Sequence, residues 1–192
     1  MTMITGNAMD DLLAVVGRER QVLERLLYRL IQTASLLTGD ETRFLHWLAL
    51  DLERAAEHLR EIDLQRSIIA VGVQDLHPGA QGLPLPDTMT LIASNAPTPY
   101  RFLLDDHQEA MKTLVGEIGA NVARIRDLVR ERLASIAFHA TPLGPSRDEE
   151  DDRDRLAHMD ALDREILSAG YGSVLNACDR LQLPELVRFL DC

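Results

Sequence analysis

The chain has 192 residues, 46% apolar and only 4% aromatic, with a formal net charge of −11 at pH 7. That is apolar material for one sizeable core, and the abundance of Leu, Ala, Glu and Arg points to helical rather than sheet packing. The acidic balance argues against a nucleic-acid backbone as the main partner, since no segment supplies the concentrated positive surface that such binding needs.

Met1-Thr2-Met3-Ile4-Thr5 resembles the start of the β-galactosidase leader used in expression vectors. On that resemblance residues 1–8 are read as an expression leader with the natural start near Met9; the N-terminus lacks the charged region followed by an apolar one of a targeting signal. The first helix is predicted from Leu12 to Leu37, because Leu12, Val16, Leu23, Leu26, Leu30 and Leu37 recur at helical spacing among Arg18, Arg20, Glu24, Arg25 and Arg29. A second follows from Leu45 to Ile69 on Leu45, Leu48, Leu52, Ala55, Leu59, Ile62 and Ile69. Between them Thr38-Gly39-Asp40 is short. Gly39 suits the left-handed stop of one helix and Asp40 the cap of the next, which makes the pair an antiparallel hairpin.

The stretch from His77 to Pro86 holds too much glycine and proline for a helix interior and reads as a crossover loop. Asp87 then caps a short helix through Met89, Leu91 and Ile92, and Ala96-Pro97 stops it. Thr98 caps the third long helix, with Pro99 in its first turn. Leu104, Met111, Leu114, Ile118, Ile125 and Leu128 form its seam, widened by Val115, Val122, Val129, Leu133 and Ile136. Asn121 lies in that seam, where a polar residue serves to fix register. The bundle is expected over residues 9–138. Residues 139–157, rich in proline and glycine and carrying the acidic run Asp148 to Asp152, read as a solvated linker. A C-terminal helical segment, 158–192, follows. Its stripe is Leu162, Ile166, Leu167, Tyr171, Val174, Leu175, Cys178 and Leu181, with a kink at Gly170 and Gly172 and a last short helix opened by Pro184. The expected fold is all-α: an elongated antiparallel bundle of three long helices plus this tail.

The sequence offers little chemistry. None of His46, His58, His77, His107, His139 and His158 has a glutamate three residues before it, which excludes the paired Glu-x-x-His of a di-iron bundle. Asp105-Asp106-His107 are consecutive on a helix, so they point apart and do not converge on one ion. Lys112 is followed by Thr113 rather than the glycine of a phosphotransfer bundle. A phosphate loop, a nucleophile elbow and a zinc array are all missing. Cys178 sits among apolar neighbours and reads as a packed, inert thiol. With Cys192 it provides neither a disulfide framework nor a metal-ligand spacing, so a reducing compartment, the cytoplasm, is expected. No run of about 18 apolar residues could insert in a membrane. No catalytic residue, cofactor or metal is expected.

What remains is a helical scaffold whose product is a surface, and its pieces carry a resemblance. They are Arg18-Glu19-Arg20-Gln21-Val22-Leu23-Glu24-Arg25-Leu26-Leu27-Tyr28-Arg29-Leu30, Thr42-Arg43-Phe44-Leu45, Leu52-Glu53-Arg54-Ala55 and Ala96-Pro97-Thr98-Pro99-Tyr100-Arg101. Gly170-Tyr171-Gly172-Ser173-Val174-Leu175 and Leu181-Gln182-Leu183-Pro184-Glu185-Leu186-Val187-Arg188-Phe189-Leu190 complete them. In this order the chain resembles the FlgN family of flagellar type III export chaperones in its actinobacterial form, from Met9 onward. The acidic run is a departure from that family.

The resemblance implies a cytoplasmic protein that binds hook-filament junction proteins, keeps them from premature assembly and delivers them to export gate or ATPase components. No catalysis is implied. Junction proteins assemble through amphipathic terminal helices, and a chaperone masks these by offering helices of its own. The client site is expected on the tail stripe and the later half of the third helix: Ile125, Val129, Leu133, Ile136, Tyr171, Val174, Leu175, Leu181, Leu186 and Phe189. The same residues could instead complete a four-helix core, and a tail folded back on its bundle, or exchanged with a second copy as a homodimer, would hide the site. An alternative is a self-associating structural or regulatory coiled-coil protein, whose stability would depend on Leu23, Leu30, Leu52 and Leu59.

Overall fold

A computed structural model describes residues 6–76, 91, 92, 94–140 and 161–181. Among these the fold is all-α, with no strand. The helices are α1 (Gly6–Thr38), α2 (Leu45–Leu76), α3 (Thr98–Ala140) and α4 (Ala161–Arg180), with one 3₁₀ turn at Thr42–Phe44. The crossover loop, the residues Asp87 and Met89, the acidic run and the terminal helix with Leu186 and Phe189 lie outside the described residues.

The predicted seam of α1 is buried at all six positions, with Met9, Val15, Val22 and Ala34 added to it. Helix α1 begins at Gly6, so it takes in the last residues expected to be leader. In α2 the buried line is Leu45, Ala49, Leu52, Ala56, Leu59 and Ile62. Leu48, Ala55 and Ile69 are only half-buried, so after Leu45 the inward face lies one residue beyond the expected positions in places. Each seam also contains a charge that the leucine pattern passes over. Glu19 fills the step between Val16 and Leu23, Arg66 the step between Ile62 and Ile69, and both are fully buried.

The α1–α2 turn corrects the expected chemistry. Asp40, not Gly39, holds the left-handed backbone, with φ 56°. The Glu41 N–H donates to Leu36 O at 3.0 Å and the Asp40 N–H to Leu37 O at 3.3 Å, which is a Schellman stop with Asp40 as its left-handed residue. Asp40 therefore does not cap α2; the 3₁₀ turn intervenes, preceded by Glu41, whose side chain makes no capping bond. At the start of α3 the Arg101 N–H reaches Pro97 O at 3.1 Å, so Pro97 rather than Thr98 is the capping residue and Thr98 is the first helical one.

The chain forms two compact units, and α1, α2 and α3 each contribute a stretch to both. The first unit comprises the described parts of Met1–Tyr28 and Arg54–Gly119. There α1 and α2 are joined by Arg66 and Glu19, 3.2 Å apart, with Asp63 also paired to Arg66. Helix α3 runs parallel to α1: Tyr100 bonds Asp10 and the Arg20 guanidinium meets Asp106 at 3.2 Å. Leu104, Met111 and Ile118 are buried along it.

The second unit is Arg29–Glu53 with Ala120–Leu181. It packs four helical stretches, because α4 joins α1, α2 and α3. Arg29 ties α1 to Asp51 of α2 at 3.1 Å. From α3, Ile125, Val129 and Ile136 are buried; from α4, Tyr171, Val174, Ala177, Cys178 and, just past its end, Leu181. Helix α4 is continuous through Gly170 and Gly172. Gly170 is there for proximity: a Cβ at this position would lie 3.1 Å from Leu45 Cδ1 and 3.2 Å from Leu45 Cβ.

Candidate functional site

Within the second unit, α4 is held at its middle and at its end. At mid-helix Gly170 faces Leu45 of α2. At its end Asp179 accepts from Arg126 of α3 at 2.8 Å, and Arg180 donates to Glu53 of α2 at 3.0 Å. Residues pair upward together on α2 and α4 and in opposite senses on α3 and α4, so α4 runs parallel to α2 and antiparallel to α3. Arg126 also donates to the Cys178 carbonyl at 3.4 Å. Burial drives the Cys178 thiol up to about 11, which leaves it protonated near neutral pH and a poor nucleophile.

Beside this seat lies a cleft of about 540 Å³, within the range of ligand pockets. Its apolar wall is Leu45, Ile136, Ile166, Leu167 and Tyr171; its polar groups include Asp40, Arg43, His46, Arg132, Ser135 and Asp163. Burial first, and then the Asp40 carboxylate, raise the Tyr171 phenol, while Arg132 opposes them. Of its lining residues Ile166 is 62% exposed; Trp47, 63% exposed, does not line the cleft but follows His46, which does. The Trp47 ring meets His46 edge-on at 5.9 Å, and the Arg43 guanidinium stacks over Phe44 at 4.7 Å. Tyr and Arg, both in the lining, are among the residue types that protein-binding hot spots favour.

The ten residues expected to receive a client fall into three groups. Ile125, Val129, Ile136, Tyr171, Val174 and Leu181 are buried within the chain, and Leu133 and Leu175 are half-buried. Leu186 and Phe189 are outside the described residues. The tail stripe and α3 therefore bury each other, as in a completed four-helix core, and only Ile136 and Tyr171 reach the cleft. Leu162 and Ile166, which the stripe places inward, are exposed instead. The expectation missed Trp47, Phe44 and Ile166 as a group because helical periodicity ranks residues for burial and cannot mark an apolar residue left outside.

Asp105, Asp106 and His107 diverge as their spacing requires. Asp106 engages Arg20, Asp105 is exposed and His107 half-buried, its ring within 3.9 Å of where a Gly17 Cβ would lie. Among the described residues no group of His, Cys, Asp and Glu could hold a metal ion, and no helix is long and apolar enough to cross a membrane. No protein-family model matches the chain, and neither does any curated protein or solved structure.

Proposed function

We propose that this chain is a cytoplasmic flagellar export chaperone that holds the amphipathic terminal helices of hook-filament junction proteins and hands them to the type III export apparatus. The order of leucine-rich pieces described above supports the reading. The observation that carries it is the cleft of the second unit, an opening in a helical core with an apolar wall that leaves Ile166 exposed. A client helix laid there would insert one large apolar side chain against Leu45, Ile136 and Tyr171.

Calorimetry with junction-protein terminal segments tests this directly. One-to-one binding at micromolar affinity or tighter is expected. Ile166→Asp changes an exposed side chain of the cleft, so it should leave the fold intact and weaken binding by at least about tenfold, the loss of one apolar anchor. Absence of binding to the wild-type chain would reject the reading.

For the self-associating alternative, Leu23, Leu30, Leu52 and Leu59 are buried within the chain's own core. A different surface favours it: Leu64, Ile68 and Val71 on α2 are 62%, 63% and 53% exposed at i, i+4 and i+7, a single apolar stripe. Sedimentation of wild type against Ile68→Asp decides whether that stripe associates.

A further inference from the structure

The seat of α4 contains a recognition code that a second helix could satisfy. We infer that the groove formed by the first turns of α2 and the later half of α3 is a receptor for an amphipathic helix of defined pattern, with α4 as its resident occupant. The pattern is read from contacts. Glycine is favoured where Gly170 stands, because a Cβ there would come within 3.2 Å of the Leu45 Cβ, a contact that a shift of a few tenths of an ångström relieves for alanine and that a larger side chain makes worse. Apolar side chains follow at the spacing of Tyr171, Val174, Cys178 and Leu181, all buried. The last turn carries an acid and then a base, matched to Arg126 on α3 and Glu53 on α2.

The inference rests on the reading that the second unit receives helices, and it names the class of partner: a helix with a glycine one residue before its first apolar anchor and an Asp-Arg type pair directly after its third. It also explains why the residues expected to hold a client are buried. They form the receptor and its occupant, seen together.

Two observations make the occupant replaceable. The ion pairs holding it are partly solvent-exposed, with Asp179 57% and Arg180 63% accessible, and exposed pairs contribute little. The first turns of α4, with Leu162 and Ile166, are not seated. Against replacement stands connectivity: twenty residues, 141–160, join α3 to α4, and a short tether supplies a local concentration on the order of millimolar. An incoming helix at micromolar concentration therefore succeeds only when α4 is weakened or when its own fit is better.

The probe is a fluorescent synthetic peptide of residues 161–181, titrated by anisotropy into the full chain. Val174→Asp in the chain places a carboxylate where a fully buried methyl group sits and should unseat α4. This variant should bind the peptide one-to-one and at least tenfold more tightly than wild type. A chain carrying Asp179→Arg with Arg180→Asp should show a smaller gain of severalfold; these exposed changes leave the core untouched, so this arm stands even where Val174→Asp loses helicity. A Gly170→Leu peptide should not bind. The inference is overturned if the helical double variant binds no peptide better than wild type does, or if the Gly170→Leu peptide binds as well as the parent. It is also overturned if the wild-type chain dimerises in sedimentation at the concentrations used and the double variant does not, which would assign the groove to a second copy's α4. Peptide binding together with silence toward junction-protein segments would uphold the receptor and reject the chaperone reading.

Discussion

Replacing Glu19 by glutamine should stabilise this protein above neutral pH, although Glu19 is within 3.2 Å of Arg66. The carboxylate and the guanidinium are both fully buried, and Glu19 Oε1 accepts no hydrogen bond among the described residues. Burial dominates: it raises the carboxyl from 4.5 to about 7, Arg66 pulling it down and Asp63 pushing it further up. Physically, two acids share Arg66, and protonating one leaves a matched Arg66–Asp63 pair. Because the folded value lies above the unfolded one, the stabilisation from this site is complete below about pH 4.5, is lost as pH rises toward about 7, and stays lost above it. At about 1.4 kcal/mol per pH unit the span is on the order of 3 kcal/mol. Guanidinium denaturation followed by circular dichroism from pH 4.5 to 8.5 measures it. Glu19→Gln should match wild type at the acid end and exceed it by up to about 3 kcal/mol at pH 8, with unchanged denaturant slope, and the difference isolates Glu19 from every other carboxylate. A Gln variant less stable than wild type at pH 8 would show that the attraction to Arg66 outweighs burial and would refute the reasoning.

Other consequences concern backbone and thiol. Gly170→Ala gains about 1 kcal/mol of helix propensity but drives a methyl against Leu45, so it should lower stability by about 1 kcal/mol net, whereas Gly172→Ala, with open space around it, should raise stability by about 0.5–1 kcal/mol; paired melts compare them. Asp40→Gly relieves the left-handed strain at φ 56° and forfeits only the partly exposed approach to Arg132 at 3.9 Å, for a net gain of about 0.5 kcal/mol in denaturation. Alkylation at pH 8, mapped by mass spectrometry, should leave Cys178 unmodified in the native protein and modify it on unfolding, because its raised value and burial both suppress the thiolate.

The helices were legible because burial in a bundle is periodic. Six of six α1 seam residues are buried, and the α1–α2 connection is as tight as Gly39 and Asp40 suggested. Local stops were less so. A Schellman turn accepts its left-handed residue one place either way, and the sequence Gly-Asp favours glycine for it on conformational grounds; the Glu41 and Asp40 hydrogen bonds put Asp40 there instead. The seam of α2 drifted for a similar reason. Alanines at 49 and 56 are as easily buried as the leucine and alanine at 48 and 55, so hydrophobicity alone does not choose between adjacent faces.

The site was harder to read than the fold, and Glu19 and Arg66 explain part of why. A stripe with a step of seven contains an unread position; between Val16 and Leu23 of α1 and between Ile62 and Ile69 of α2 that position holds a charge. Neither gap is informative alone, since a charged residue at one seam position is simply a weak spot. Taken together, an acid on one helix and a base on its antiparallel neighbour at the matching level are the signature of a buried pair, and a buried pair penalises every register that separates its members. The same logic applies to α4. Its stripe alone does not distinguish a client-binding surface from a core helix, because both bury the same residues. The distinction comes from what the stripe omits: Gly170 has a close neighbour in Leu45 and Gly172 has none, so of the two glycines flanking Tyr171 only one is favoured by packing. A groove that favours a bare backbone at one position and opposite charges a few turns later is selective, and that selectivity gives it the means to tell one helix from another.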